Sequence, residues 1–316
     1  MRTQAIIGST PAVTGAHDMW RGFWRLADPK ISLASMASIF LGTCVAASYG
    51  QLHLGWLIVT VVGIFAIEVA KNASGEIVDF DSGADQGVAP EDASPFSGGK
   101  RVLVDGLLTR GETLGISALS YLIGIAAGLA IAAAREPRVL WLGVIGMACA
   151  FFYHAPPLRL SYRGLGEFVV GLCYGPLIAT GAYLVQRGHA SAEVLLLSLP
   201  LGLLIAAFLW INEFPDYSAD RAAGKRTLVV QLGRRRASRL FAIIVACAFV
   251  GLAALPLAGA RPAVLLGLLG AFPGSLAAIR LCKSPESTPE IIPAQGQTLL
   301  AFVLMALGAG IGVLVG

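Results

Sequence analysis

Charged residues are scarce in this chain. They account for 13% of its 316 residues, whereas 56% of the residues are hydrophobic. Because an average soluble domain carries about 25% charged residues, this composition excludes a water-soluble globular protein. It indicates an integral membrane protein instead.

The sequence also lacks cysteine motifs that bind metals, a cleaved signal peptide and the strand pattern of a transmembrane barrel. Its five cysteines are scattered in or beside apolar stretches and form no CxxC pair, which indicates small packed side chains rather than metal ligands. Roughly the first 20 residues contain no apolar run followed by a cleavage site, so we expect no cleaved signal peptide. The apolar segments do not alternate with polar residues, which excludes the strands of a transmembrane barrel.

Nine continuous apolar runs are present, each about 20 residues long, which is the length that spans a bilayer as a helix. We therefore predict an all-α integral membrane protein with nine transmembrane helices bundled around a central cavity. The runs cover residues 31–50, 52–72, 112–134, 138–155, 165–187, 194–214, 237–258, 262–280 and 297–315.

We expect residues 31–316 to form one transmembrane domain and residues 1–30 to form a cytoplasmic N-terminal segment. Within that segment, residues 19–25 mix three aromatic side chains with two arginines, as amphipathic stretches at a membrane interface do. The N-terminus and the loops after the second, fourth, sixth and eighth runs, taken together with the adjoining ends of the runs, hold 19 of the 23 lysines and arginines. The positive-inside rule then predicts a multi-pass protein of the cytoplasmic (inner) membrane. Its polar cap loops after helices 2 and 6, and its active site, would face the cytoplasm.

Both of these long loops begin with a cluster of acids. In the first cluster, Asn72, Glu76 and Asp79 are spaced i, i+4 and i+7, so they lie on one helical face. Asp85 follows past a helix break expected at residues 82–83. A single acid beside a membrane helix is usually just solvated, but two clusters, each with an asparagine one turn before its acids, favour a common site.

The second cluster consists of Asn212, Asp216 and Asp220, whose i, i+4, i+8 spacing would stack them on one face of a single helix. Mg²⁺ prefers hard oxygen ligands and binds through one or two carboxylates plus substrate phosphates. Two facing clusters could therefore hold ions that bridge a diphosphate and neutralise charge on a leaving group. The predicted metal ligands are Glu76, Asp79, Asp85, Asp216 and Asp220.

A short repeat follows each acidic cluster. Residues 99–104, Gly-Lys-Arg-Val-Leu-Val, resemble residues 224–229, Gly-Lys-Arg-Thr-Leu-Val, as a duplicated unit of four helices in parallel orientation would produce. The basic side chains of the repeat either donate to phosphate oxygens or act as ordinary positive-inside anchors. They are Lys100, Arg101, Lys225 and Arg226.

A third polar block, residues 153–167, lies between the fourth and fifth runs. Its two prolines, at residues 156–157, must end the fourth helix and turn the chain at the membrane surface. Arg159 is then placed at the cytoplasmic mouth, where it either binds an anionic substrate group or anchors the loop at the interface. His154 fits a packed interfacial histidine better than a base.

These three blocks resemble motifs of the UbiA superfamily of intramembrane aromatic prenyltransferases. Residues 79–85 and 212–228 are similar to its two aspartate-rich motifs, and residues 153–159 are similar to the loop between its fourth and fifth helices. The resemblance covers nearly the whole chain, since nine helices is also the family's number. The wording of both aspartate-rich motifs is most similar to the 1,4-dihydroxy-2-naphthoate branch, which belongs to the menaquinone pathway.

The resemblance implies that Mg²⁺ holds an isoprenyl diphosphate between the two motifs. The donor would ionise to an allylic cation, which an aromatic acceptor of the 1,4-dihydroxy-2-naphthoate kind would capture. We expect the bilayer as a further partner and no nucleic acid, and the residues leave the oligomeric state open. The catalytic residues implied are Asp79, Asp85, Asp216 and Asp220. The substrate-binding residues implied are Asn72, Lys100, Arg101, Tyr153, Arg159, Asn212, Lys225 and Arg226.

One position departs from the family pattern. Gly75 stands where the first motif usually has an asparagine, so either Asn72 supplies the amide or this chain binds its first metal differently. The acceptor is therefore open, with hydroxybenzoate, homogentisate, a porphyrin, a phosphorylated sugar or a glycerol lipid as alternatives.

An alternative from another functional class is a cation-coupled transporter, although only Glu68 places a charge clearly inside a run. A non-catalytic scaffold would leave both acidic clusters unexplained.

Overall fold

The structure is a computed structural model that describes residues 16–97 and 99–316. All regular secondary structure in these residues is helical, which confirms the predicted all-α fold. The α-helices are α1 (Ala16–Ala27), α2 (Pro29–Ser48), α3 (Leu54–Ser82), α4 (Arg110–Ala134), α5 (Val139–Phe152), α6 (Gly166–Leu172), α7 (Ile178–Arg187), α8 (Ala192–Asn212), α9 (Tyr217–Ala222), α10 (Leu228–Leu232), α11 (Arg234–Ala254), α12 (Ala271–Lys283) and α13 (Thr288–Val315). A π-helical turn (Cys173–Leu177) joins α6 to α7, and short 3₁₀ segments cover Pro90–Asp92, Leu160–Tyr162, Leu255–Ala258 and Pro262–Gly270.

Eight helical stretches within the described ranges are long and apolar enough to cross a membrane. The remaining predicted span, the fourth (residues 138–155), coincides with α5, which has only 14 residues. Such a helix is about 21 Å long, less than the ~30 Å of a hydrocarbon core. The count of nine spans therefore stays a prediction, as does the placement of the loops. The eight stretches are Pro29–Ser48, Leu54–Ser82, Arg110–Ala134, Gly166–Arg187, Ala192–Asn212, Arg234–Ala258, Pro262–Lys283 and Thr288–Val315.

The N-terminal segment is described from residue 16 onward, so residues 1–15 of the predicted cytoplasmic segment lie outside the described residues. The predicted amphipathic stretch, residues 19–25, lies in α1. Trp20 on this helix is 62% exposed, whereas Leu26 is fully buried in a small apolar cluster. One face of α1 thus packs on the bundle, and binding of its other face to the membrane interface stays a prediction.

The longest helix, α3, continues beyond the predicted span of residues 52–72. It ends at Ser82, where Gly83 adopts a φ of 80°, the left-handed conformation that commonly ends a helix. The break expected at residues 82–83 is therefore present. The added turns of α3 carry Glu76 and Asp79 on the same helix as the second span.

The second acidic cluster does not lie on a single helix, and that prediction was wrong. α8 ends at Asn212, and residues 213–216 form turns before α9 begins. Pro215 explains the break, because proline lacks the amide hydrogen of a helical bond and its ring clashes with the carbonyl four residues earlier. Asp216 therefore lies on a turn and Asp220 lies on the short helix α9.

Glycines let α6 and α8 cross with their backbones in contact. A Cβ added at Gly202 in α8 would lie 2.5 Å from the carbonyl oxygen of Gly171 in α6. A Cβ at Gly175, in the π-helical turn, would lie 2.5 Å from the Cα of Gly202. Small residues commonly permit such approaches between membrane helices. The crossing fixes α6 against α8, and the last residue of α8, Asn212, begins the second acidic cluster.

We expect Gly202→Ala to lower the melting temperature of the detergent-purified protein by several degrees. The added methyl group would have to displace the backbone of α6, and overpacking of this kind costs about 1–3 kcal/mol. Gly115→Ala in α4 is the matched control, because a Cβ at Gly115 meets nothing within 4 Å. Equal melting temperatures of the two variants, followed by tryptophan fluorescence, would contradict the close crossing.

Candidate active site

A polar cavity of about 500 Å³ lies where the C-terminal ends of α3 and α8 meet residues 24–31, 84–97 and 99–101. Side chains of both acidic clusters line it, so the two clusters belong to one cavity. Arg159 and Arg226 are not part of its lining. The predicted site residues in the lining are Asn72, Glu76, Asp79, Asp85, Lys100, Arg101, Tyr153, Asn212, Asp216, Asp220 and Lys225.

Lys225 joins the two acidic clusters. Its Nζ lies 3.8 Å from Asp79 Oδ2 in the first cluster and 3.5 Å from Asp220 Oδ1 in the second. Although burial acts to lower it, the carboxylates of Asp79 and Asp220 raise the pKa of Lys225 well above its ordinary value. Lys225 therefore stays protonated and places a positive charge between the clusters.

Tyr162 and Arg159, from the loop between α5 and α6, contact Asp79 and its surroundings. The Tyr162 hydroxyl donates a hydrogen bond of 2.7 Å to Asp79 Oδ1, and it lies 2.9 Å from Ser82 Oγ. The Arg159 guanidinium packs on the Tyr162 ring, 3.9 Å from its centroid. Arg159, which we predicted to bind substrate, thus contacts a partner of Asp79 rather than the cavity. Tyr162 was not among the predicted residues, because nothing in the third polar block indicates which side chain reaches α3.

Asp85 has its place in the cavity because residue 99 is a glycine. A Cβ at Gly99 would lie 2.1 Å from Asp85 Oδ1, and Gly99 has a left-handed φ of 71°. Burial, followed by the charges of Asp79 and Glu76, raises the pKa of Asp85 to about 8. In the absence of a nearby cation this carboxyl group is therefore mostly protonated at pH 7.

The cavity contains the oxygen donors that Mg²⁺ prefers, and several of them are unused. Glu76 Oε2, Asp85 Oδ2 and Asn212 Oδ1 are buried and accept no hydrogen bond from the described residues. Within the same part of the chain, no three acid, histidine or cysteine side chains form a ready-made site for one ion. Because Mg²⁺ keeps waters and completes its shell with substrate phosphates, acids spread over a cavity suit it. The residues present fit a Mg²⁺–diphosphate complex better than a closed metal cage.

His154 occupies the space beside Gly75. A Cβ at Gly75 would lie 2.5 Å from His154 Cε1, so position 75 has no room for a side chain. His154 Nε2 lies 3.8 Å from Asp79 Oδ2, and burial lowers the pKa of His154 to about 4, so the imidazole is neutral at pH 7. Asn72, the predicted substitute for the missing amide, donates its Nδ2 hydrogen to the Leu26 carbonyl at 2.8 Å. The group that lies nearest to position 75 is therefore an imidazole.

The other predicted cations differ in where they lie. Lys100 lines the cavity and pairs with Asp28, and Arg101 donates from Nη1 to the Asp85 carbonyl at 3.0 Å. Arg226 is exposed and lies outside the lining. Two roles were predicted for these basic side chains, binding of phosphate oxygens and anchoring at the membrane surface. The positions of Lys100 and Arg101 favour phosphate binding, whereas the position of Arg226 favours anchoring.

A second, apolar pocket of about 220 Å³ adjoins the polar cavity. It lies between α3, α4, α5, α6 and α7, and the two spaces share Lys71 and Tyr153. The Tyr174 ring also lines this pocket. Lys71 was not predicted, because a lysine at the end of an apolar run is typical of an interfacial anchor.

Comparisons with known proteins identify the family of this chain. The chain matches the UbiA prenyltransferase family over residues 35–292. The 1,4-dihydroxy-2-naphthoate octaprenyltransferase of Bacillus subtilis is 25% identical over 299 residues, which cover 95% of this chain and 94% of that protein. The 2-carboxy-1,4-naphthoquinone phytyltransferase of Synechocystis is also 25% identical, with 96% of this chain and 97% of that protein covered.

Solved structures share the fold. A UbiA homolog from Aeropyrum pernix K1, in its apo form, has a TM-score of 0.63 at 21% sequence identity, covering 89% of this chain and 97% of that chain. A UbiA homolog from Archaeoglobus fulgidus, bound to GPP and Mg²⁺, has a TM-score of 0.60 at 14% identity, covering 90% and 99%. The fold is thus that of the UbiA homologs. The chain belongs to the UbiA prenyltransferase family, and it is a prenyltransferase.

We expect Gly75→Asn to destabilise the protein by about 1–3 kcal/mol, because the new side chain would overlap the His154 ring. Adding His154→Ala should recover most of the loss, since it empties the space that the asparagine needs. Melting temperatures of the two single variants and the double variant measure this coupling.

Gly111→Asn in α4 is the control, because a Cβ at Gly111 meets nothing within 4 Å. If the losses of the two single variants simply add in the double variant, His154 does not occupy the space beside residue 75.

Proposed function

We propose that this prenyltransferase transfers an isoprenyl group from an isoprenyl diphosphate to an aromatic acceptor of the 1,4-dihydroxy-2-naphthoate type, with Mg²⁺ as cofactor. The observation that carries the proposal is the convergence of two acidic clusters on one cavity, joined by Lys225. The names of the Bacillus and Synechocystis relatives support a naphthalene-type acceptor. The GPP and Mg²⁺ bound to the Archaeoglobus homolog support the donor class and the metal.

The chain's own residues would orient the acids that hold Mg²⁺. Tyr162 fixes Asp79 through its hydrogen bond, and the Leu103 amide donates to Glu76 Oε1 at 3.0 Å. Each bond uses one oxygen of its carboxylate. When bound, the ion supplies positive charge to the phosphate oxygens as the donor's carbon–oxygen bond breaks. The residues that would hold it are Glu76, Asp79, Asp85, Asp216 and Asp220.

Three cations at the cavity would bind the diphosphate. The cavity is lined by the acids and by three basic side chains, Lys100, Arg101 and Lys225. Ammonium and guanidinium groups form short, charge-assisted hydrogen bonds to phosphate oxygens. The diphosphate would then lie between the two acidic clusters, where these donors offset its charge.

The apolar pocket would take the isoprenyl tail. It begins at Tyr153, where it meets the polar cavity, so the reacting carbon would lie at this junction. The rings of Tyr153 and Tyr174 line the pocket, and aromatic faces stabilise a nearby positive charge. Apolar walls also exclude water, which would otherwise capture an allylic cation.

We further propose that the protein lies in the cytoplasmic (inner) membrane with its cavity open to the cytoplasm. The excess of lysine and arginine in alternate loops supports this orientation. Large apolar side chains on the spanning helices are exposed, as expected of side chains that face lipid. Examples are Leu122, Val250 and Phe272.

Membership of the family removes the transporter and the scaffold from the alternatives. The acceptor is tested by incubating the purified protein with geranylgeranyl diphosphate and a panel of acceptors, and then identifying the products by mass. A product with 1,4-dihydroxy-2-naphthoate supports the proposal. Products formed only with hydroxybenzoate, homogentisate, a porphyrin, a sugar phosphate or a glycerol lipid would contradict it.

Asp79→Ala and Asp216→Ala should each reduce Mg²⁺-dependent release of diphosphate by about 100-fold or more, because each removes a charged group that acts on the leaving diphosphate. Diphosphate release is measured in a coupled assay, with and without EDTA.

Asp81→Ala is the matched control for both variants. Asp81 belongs to the same acidic stretch of α3, but it pairs with Arg110 and lies outside the cavity lining. Its variant should keep turnover within about twofold of the original protein, since an exposed ion pair contributes little. Full turnover in both Asp79→Ala and Asp216→Ala, with melting temperatures unchanged, would remove the proposed metal–diphosphate site.

A further inference from the structure

The junction between the polar cavity and the apolar pocket holds two charged residues that the proposed reaction does not use. Glu68 and Lys71 are spaced i, i+3 on α3, so they are neighbours on one face of that helix. Both line the apolar pocket, and Lys71 also lines the polar cavity. Ionisable side chains within membrane helices are costly, and they mark functional sites.

Lys71 differs from the other cationic side chains that line the polar cavity. Within residues 16–97 and 99–316, it makes no hydrogen bond or ion pair, and its Nζ lies 5.3 Å and 5.8 Å from the ring centroids of Tyr153 and Tyr174. Within those ranges no carboxylate forms an ion pair with this ammonium group, and the charges of Glu68 and Asp28 act on it only from a greater distance. The other five cations each contact an oxygen: Arg25 that of Asp105, Lys30 that of Pro95, Lys100 that of Asp28, Arg101 that of Asp85, and Lys225 those of Asp79 and Asp220.

Glu68 has unused acceptor atoms in the apolar pocket. Its side chain is only 5% exposed, and both carboxyl oxygens are buried without a hydrogen bond from any described residue. The hydroxyl groups of Ser32, Ser35 and Tyr174 lie near the carboxyl group, although none of them forms a hydrogen bond of good geometry to it. Because a buried carboxyl group without a well-formed hydrogen bond is costly, a donor from a ligand would stabilise it.

The donor's diphosphate does not fit this position. Along the axis of α3, Lys71 lies about 12 Å deeper than Asp79, and Glu68 lies about one turn deeper again. A phosphate placed between Lys71 and Glu68 would lie about 12 Å or more along the helix axis from Asp79, and Glu68 would repel it. A ligand that carries an anionic group and a hydroxyl group on an aromatic ring suits Lys71 and Glu68, with the ring at the cavity end of the pocket and the isoprenyl tail in the rest of it.

We propose that Lys71 and Glu68 bind the polar substituents of the acceptor, an inference that rests on the proposed function and names its acceptor class as a hydroxylated aromatic carboxylate. The Lys71 ammonium pairs with the acceptor carboxylate, and Glu68 accepts a hydrogen bond from an acceptor hydroxyl group. Tyr153 and Tyr174, which flank the ammonium, contact the aromatic ring. A neutral acceptor would leave Lys71 unpaired.

The test measures acceptor binding without any donor or turnover. Full-length protein in nanodiscs is titrated anaerobically with 1,4-dihydroxy-2-naphthoate and with 1,4-dihydroxynaphthalene, which lacks the carboxylate. Lys71→Met should weaken binding of the acid about tenfold or more and that of the diol less than about twofold, since a charge-assisted bond is lost only for the acid. Glu68→Gln should weaken binding of both ligands, because both carry hydroxyl groups.

Lys283→Met is the matched control, because Lys283 is exposed at the end of α12, outside both pockets. Lys71→Arg keeps the charge and should keep the preference for the acid over the diol, which tests the proposal even if Lys71→Met folds poorly. Equal losses for acid and diol in Lys71→Met would overturn carboxylate binding. Unchanged affinities in Glu68→Gln would overturn the role of Glu68.

The donor is titrated separately, as geranylgeranyl diphosphate with Mg²⁺. A loss of donor affinity in Lys71→Met with unchanged affinity for the acid would assign Lys71 to the diphosphate and overturn the proposal. Failure of the proposed function appears differently, as a wild-type protein that binds both substrates and forms no product.

Discussion

The cavity depends on one electrostatic constraint, which is that carboxylates from two distant parts of the chain lie close together in a poorly hydrated space. Like charges a few ångströms apart repel strongly in such surroundings. Lys225 relieves the repulsion because its ammonium group lies between Asp79 and Asp220. Where burial and neighbouring carboxylates outweigh the effect of Lys225, a carboxyl group takes up a proton instead, as the raised pKa of Asp85 indicates. The site is thus arranged to accept further positive charge.

Glycines in the left-handed conformation turn the backbone toward the cavity after each acidic cluster. Gly99 and Gly224 open the two copies of the short repeat with φ values of 71° and 72°. Lys100 and Lys225 follow these glycines directly, and both line the cavity. The two copies therefore share a left-handed glycine at the same position, and each copy places one lysine in the lining of the same cavity.

Patterns over short stretches of the sequence predicted the features that depend on neighbouring residues in the chain. Apolar runs predicted the spanning helices, and helical spacing placed Glu76 and Asp79 on one helix. The contact between Tyr162 and Asp79 was missed because it joins residues 83 positions apart, and no local pattern encodes such a pair. The helix break after Asn212 was also missed, although Pro215 indicates it in the sequence. The i, i+4, i+8 spacing of Asn212, Asp216 and Asp220 suggested one continuous helix instead.

The positions of Gly75 and His154 show why a motif should be compared in three dimensions as well as in a sequence alignment. In an alignment, Gly75 stands where the family has an asparagine, so a polar side chain beside Asp79 is missing. In the structure the same space holds the His154 ring, whose Nε2 lies 3.8 Å from Asp79 Oδ2. A neutral imidazole, like a carboxamide, offers both a hydrogen-bond donor and an acceptor. A neutral polar group thus remains beside Asp79, supplied by another element, so the departure at Gly75 does not weaken the case for a metal–diphosphate site.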